Sequence, residues 1–169
     1  MDNTLKLYTL QLNEVKTYLF ATLFVVGNIL LPQLCHLVPN GGHILLPIYF
    51  FTLVGAYKYG TKVGLLTAIL SPLVNAAMFH MPAPAVLPSI LLKSVLLALI
   101  AGWCAQRFQK VSIPTLALVV LGYQVIGSLG ESLIEGSLMA GLTDFKLGIP
   151  GMLLQVFGGY LFIKYLIRN

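Results

Sequence analysis

Five polar side chains that could bind a small solute lie within stretches that are otherwise apolar enough to cross a membrane. Lys93 lies roughly 9 Å and Glu131 roughly 10 Å from one end of its predicted helix, from the helical rise of about 1.5 Å per residue. Asn75 and Gln155 come out at roughly 6 and 9 Å by the same count, and Glu135 follows Glu131 by one turn on the same helix face. The sequence therefore predicts one polar layer to which four helices contribute.

These groups point to solute binding. A charged side chain at such depth costs about 2 to 3 kcal/mol even on the lenient insertion scale, so it should face inward and meet partners. Because the carboxylates outnumber the lysine, one glutamate takes up a proton or binds a cationic group, and a ligand is the natural source of that group. We predict a substrate-binding pocket formed by Lys93, Glu131, Glu135, Asn75, His80 and Gln155. A structural alternative stays open, in which Lys93 pairs with Glu131 only to hold helices together.

Other chemistry finds less support in the sequence. His36, His43 and His80 fall at the same end of the predicted bundle and could bind a metal, although an ordinary interfacial histidine is the commoner case, and we predict no metal. A membrane-embedded hydrolase is disfavoured because neither H-E-x-x-H nor G-x-S-x-G occurs. We predict no catalytic residue and no cofactor. The net charge of +5 is spread without a basic cluster or a base-stacking motif, which argues against nucleic acid as a partner.

Composition identifies the elements that must position these groups. Of the 169 residues, 58% are hydrophobic and only 9% are charged, whereas a soluble domain is about a quarter charged. The chain is therefore predicted to be an all-α integral membrane protein. Residues 17–169 should form one transmembrane domain, and residues 1–16 either a tail or an interfacial helix. At about 20 apolar residues per crossing, six spans follow. They are residues 17–37, 44–57, 61–79, 87–106, 113–138 and 149–167.

The second span is short enough to be a re-entrant segment instead of a crossing. The positions of the basic residues provide an independent check on the number of spans. Cytoplasmic connections collect lysine and arginine. With six spans, nearly all basic residues outside the pocket fall on one side, and only Lys146 falls on the other. Both termini are therefore predicted to be cytoplasmic. The outer connections VPNGGH, HMPAPAVLP and MAGLTDFKLGIPG are rich in turn residues, as expected of loops that fold over a cavity.

Four segments carry a family resemblance through their order and spacing. GAYKYGTKVG joins the second and third helices, SPLVNAAMFHMPAPAVLP crosses from the third to the fourth, LIAG ends the fourth, and GIPGMLLQ opens the sixth. With the six-helix layout, they resemble the substrate-binding S components of energy-coupling factor (ECF) transporters, which take up vitamins and related micronutrients. One departure is Lys93, because members often carry an acidic residue on the fourth helix.

The resemblance implies a subunit of an ABC-type importer in the prokaryotic plasma membrane. Its partners would be a membrane coupling subunit, the T component, and two cytoplasmic ATPases. It implies docking through small residues of the first helix, here Thr17 and Ala21, followed by a bulky Val25. Two other functions are weighed against it: a self-sufficient small transporter or channel, and an S component for nickel or cobalt. The second would be expected to begin with a metal-binding histidine near the initiator methionine, whereas this chain begins MDN.

Overall fold

A computed structural model describes residues 6–37 and 39–167, and these residues form helices and connections without any strand. In chain order, the helices are α1 Val15–Cys35, α2 Gly41–Leu45, α3 Phe50–Tyr59, α4 Thr61–Phe79, α5 Leu87–Phe108, α6 Ile113–Glu135, α7 Leu138–Leu147 and α8 Ile149–Leu166. The long helices are α1, α4, α5, α6 and α8, and α8 includes two π-helical stretches, Leu154–Gly158 and Phe162–Leu166. The shorter helices are α2, α3 and α7, and a 3₁₀ turn at Pro47–Tyr49 lies between α2 and α3.

The five longer helices are each long and apolar enough to cross a bilayer. Their ends differ from the predicted spans by at most three residues, and Thr61–Phe79 agrees at both ends. For the described residues, the prediction of an all-helical chain with several helices long and apolar enough to cross a membrane is therefore confirmed. The sixth crossing and the orientation of the termini stay predictions.

The predicted second span, residues 44–57, is not one continuous helix. Leu46 adopts the left-handed conformation, with φ 48° and ψ 46°, and separates α2 from the 3₁₀ turn and α3. An L-residue leaves the right-handed helix at such a position, so α3 begins only at Phe50. Every residue of α3 except Phe51 is buried. The ten-residue helix thus lies inside the bundle, in contact with α1, α4 and α5.

Close packing around α3 depends on small residues. A methyl group added at Gly64 of α4 would lie 2.7 Å from the Ala56 Cα, closer than real Cβ atoms approach other atoms. Gly102 of α5 packs in the same way against Thr61, at the start of α4. Small residues at helix contacts allow backbones to approach closely, which is how helices associate in lipid. These glycines therefore set the spacing of α3, α4 and α5.

Residues 6–14 form an irregular segment that packs against the end of α3. The Tyr8 N–H donates to the Lys58 carbonyl at 2.8 Å, and the Leu10 N–H donates to the Tyr59 carbonyl at 3.1 Å. The Tyr8 ring stacks on Tyr59 at 5.7 Å between centroids. No helix forms from Lys6 to Glu14, so the interfacial-helix alternative does not describe these residues, and residues 1–5 lie outside the described residues.

The two ends of the bundle differ in their content of basic residues. The basic end carries the starts of α1, α4 and α6 and the segment just described, and includes Lys16, Lys62 and Lys110. The Tyr57 hydroxyl, near the end of α3, donates to the Lys110 carbonyl at 2.7 Å and so joins α3 to the α5–α6 connection there. The opposite end carries residues 36–37, 39–46 and 80–86, together with α7.

Candidate functional site

A buried lysine and two carboxylates meet near the opposite end of the bundle. Lys93 of α5 is 2% exposed, and its Nζ donates to Glu131 Oε2 of α6 at 2.6 Å. The same Nζ also donates to Asp144 Oδ2 of α7. The lysine therefore bridges an acid on the neighbouring helix and an acid on the segment that follows it.

The local sequence explains how the lysine reaches both acids. Gly127 lies one turn before Glu131 on α6, and a methyl group there would be 2.6 Å from Lys93 Cγ. The absent side chain at Gly127 thus makes room for the lysine stem. On α7, Gly141 lies against the Ser128 carbonyl of α6, three residues before Asp144. This contact brings α7 back against α6 and so positions the second carboxylate.

Two buried amides and two tyrosines extend the polar region inward. Gln124 Nε2 donates to Asp144 Oδ2 at 3.4 Å. We call the four residues Lys93, Glu131, Asp144 and Gln124 the Lys93 cluster. The Tyr123 hydroxyl donates to Gln155 Oε1 at 3.0 Å, and its ring lies 5.6 Å from that of Tyr49. Gln155 lies in a π-helical stretch, a feature frequent at functional sites. Within the described chain, Gln124 Oε1 and Gln155 Nε2 are buried without a hydrogen-bond partner.

Three other predicted or considered residues lie outside the cluster. Glu135 is the last residue of α6 and is exposed, without a contact to Lys93 in the described part of the chain. His80 ends α4 in the left-handed conformation and is exposed. His36 is likewise exposed, at the end of α1. The direct contact of Lys93 with Glu131, which the structural alternative described, is therefore present. Glu135 and His80, which were predicted to line the same pocket, lie outside the Lys93 cluster.

Asn75 belongs to a second polar group between α1, α3 and α4, which we call the Asn28 network. Its Nδ2 donates to the Asn28 carbonyl at 3.0 Å and to the Ser71 carbonyl at 2.9 Å. Asn28 Nδ2 donates to Thr52 Oγ1 at 3.1 Å and to Ser71 Oγ at 3.2 Å. Asn75 shares the predicted depth, but its hydrogen bonds hold it toward α1 rather than toward Lys93.

The predicted docking residues of α1 are also turned inward. Thr17 is fully buried and its Oγ1 donates to the Gln11 carbonyl at 2.5 Å, while Ala21 is 3% exposed within the hydrophobic core. The outward face of α1 instead carries bulky side chains such as Leu19, Leu23 and Leu30. Small residues were expected on the surface for a partner, but they pack within this chain. The structure therefore does not offer Thr17 or Ala21 for docking.

Asp144 and Gln124 were missed from the sequence. Asp144 is the single carboxylate of the connection MAGLTDFKLGIPG, and that isolated acid in an apolar outer segment was the available signal. Gln124 had no such signal, because it lies about three helical turns before Glu135 and therefore deeper than the predicted layer. Only the return of α7 brings it next to an acid.

The charges of the Lys93 cluster do not balance. One ammonium faces two carboxylates, so with all three groups ionised the cluster carries one excess negative charge. Among the described residues there is no group of three His, Cys, Asp or Glu side chains suited to holding a metal ion. No protein-family model, curated protein or solved structure matches this chain.

Proposed function

We propose that the chain is the substrate-binding S component of an ECF-type importer for a vitamin or a related organic micronutrient. The observation that carries the proposal is the Lys93 cluster, in which a fully enclosed ammonium meets two acids beneath one end of an apolar bundle. Leucine or alanine would pack at these positions without the desolvation penalty of three charged side chains. A role in binding a solute accounts for the presence of the charged side chains. The sequence resemblance supplies the family.

The placement of Asp144 supports capture from one side of the membrane. Its carboxylate belongs to α7, a segment between two longer helices that packs on α6 and contributes to the Lys93 cluster. A bound solute would be enclosed by α7, and exclusion of water would strengthen its electrostatic contacts. The chain carries no Walker A motif, so ATP-driven release would require a separate coupling subunit and two ATPases.

The proposed orientation places the Lys93 cluster toward the exterior of a prokaryotic plasma membrane and the basic end in the cytoplasm. In a background with the buried Cys35 and Cys104 replaced by alanine, a membrane-impermeant maleimide added to intact cells should label Lys146→Cys. It should label Lys62→Cys only after permeabilisation. Both lysines are exposed, so burial does not limit either reaction. The reverse labelling pattern would invert the topology and contradict capture from outside.

Binding can be tested with the purified protein in nanodiscs against a panel of water-soluble vitamins, with native mass spectrometry as the readout. We expect one member to bind, and Glu131→Gln to weaken its affinity about tenfold or more because a charged hydrogen-bond partner is lost. Glu14→Gln, the same change at the start of α1 near the basic end, should bind as the wild type does. Capture that is unchanged in Glu131→Gln, or no capture by the wild type, would contradict the proposal.

A further inference from the structure

We propose that the Lys93 cluster selects a guest with a cationic nitrogen that donates hydrogen bonds, such as a protonated amine or an amidinium. This inference rests on the proposed receptor function and names the substrate class of that site. The reasons are the charge of the cluster, the kind of hydrogen-bonding atom left free, and the position of the ammonium.

Charge is the first reason. Counted as ionised groups, Lys93 contributes one positive charge and Glu131 and Asp144 contribute one negative charge each, which gives the cluster a formal charge of −1. Glu135, one turn beyond Glu131, adds a further exposed negative charge, and the exposed Lys146 lies two residues after Asp144. A cationic guest would neutralise the buried excess, whereas an anionic guest would raise it to −2 in a region of low dielectric constant.

The free hydrogen-bonding atoms of the cluster are the second reason. Lys93 uses Glu131 Oε2 and Asp144 Oδ2, so within the described chain the other oxygen of each acid is open to a donor. Gln124 is fully buried, and its Nε2 contact with Asp144 leaves Oε1 as a buried acceptor without a donor in the described residues. An unsatisfied buried acceptor destabilises a structure, and a guest N–H would satisfy it.

The position of the ammonium is the third reason. Lys93 is 2% exposed and already donates to both acids, so a carboxylate from a guest would compete with two partners that are held in place. The same ammonium repels a divalent metal ion from the space between the acids.

Two matched pairs of probes can test the sign of the guest. The wild-type protein in detergent is heated with millimolar benzamidinium or benzoate, and with benzylammonium or phenylacetate, at equal ionic strength. We expect each cation to raise the unfolding midpoint by about 2–4 °C over its matched anion, because binding to the folded state alone stabilises it. Asp144→Asn and Glu131→Gln, which each remove the excess charge, should lose this difference, whereas Glu14→Gln should keep it.

The outcomes separate this inference from the receptor function. If the anions stabilise the protein instead, or if no cation exceeds its anion, the cationic class is wrong. A cation effect that persists in both Asp144→Asn and Glu131→Gln would place binding elsewhere and would also overturn the inference. The vitamin panel described above is scored independently, so an anionic vitamin that binds through Glu131 would leave the receptor function standing while this inference fails.

Discussion

Replacing Lys93 with methionine should lower the free energy of unfolding by about 3–5 kcal/mol, which is the usual cost of removing one partner from a buried ion pair. Methionine keeps an unbranched apolar stem against Gly127, so packing is largely preserved. The substitution removes the ammonium that lies between Glu131 and Asp144, and the two partly buried carboxylates then repel each other. Titration with SDS in mixed micelles measures the change.

A neutral cluster provides the control for this prediction. The triple variant Lys93→Met, Glu131→Gln, Asp144→Asn removes all three charges and should recover most of the lost stability, because no uncompensated charge remains. Equal stability of Lys93→Met and the wild type would show that the lysine does not bridge the two acids. If the triple variant is as unstable as Lys93→Met, the loss of stability is due to packing and not to uncompensated charge.

Replacing Asn28 with leucine should lower the free energy of unfolding by about 2–4 kcal/mol, because buried polar groups on two other helices lose their partner. Asn28 Oδ1 accepts the Phe51 N–H at 3.1 Å, and its Nδ2 donates to Thr52 and Ser71. Phe51 lies in the first turn of α3, where the N–H groups have no acceptor within their own helix. In an apolar surrounding no water replaces that acceptor.

Gln33 offers a matched control on the same helix. It is half-buried, and its Nε2 has no hydrogen-bond partner among the described residues. Gln33→Leu should therefore change the unfolding free energy by less than about 1 kcal/mol or stabilise the protein, since an unpaired amide is removed. If Asn28→Leu proves no more destabilising than Gln33→Leu in the same SDS titration, the Asn28 network does not hold α3 in place.

The contrast between the two polar groups also bears on function. The Asn28 network joins α1, α3 and α4 through hydrogen bonds between neutral groups, as a structural core would. The Lys93 cluster carries a formal excess charge and a buried acceptor for which the described residues provide no donor. Only the second group leaves interactions for a guest to complete, so substitutions in the two groups should separate stability from binding.

Residue order along the chain was enough to identify the membrane class, the long helices and the depth of Lys93 and Glu131. The reason is that the length of an apolar run, and the distance of a residue from its end, depend only on the count of residues and the helical rise. Thr61–Phe79 was predicted at both ends, and the count along the helices predicted similar depths for Lys93 and Glu131, which are in contact in the structure.

Only the tertiary structure shows which way each helix is rotated about its own axis and which path each connection follows. Asn75 turns toward Asn28, Thr17 and Ala21 turn into the core, and α7 returns to bring Asp144 to a lysine 51 residues away. The break at Leu46 likewise accompanies the enclosure of α3 by α1, α4, α5 and α8. Each of these features depends on contacts between residues distant in the chain, which the count along a single helix does not contain.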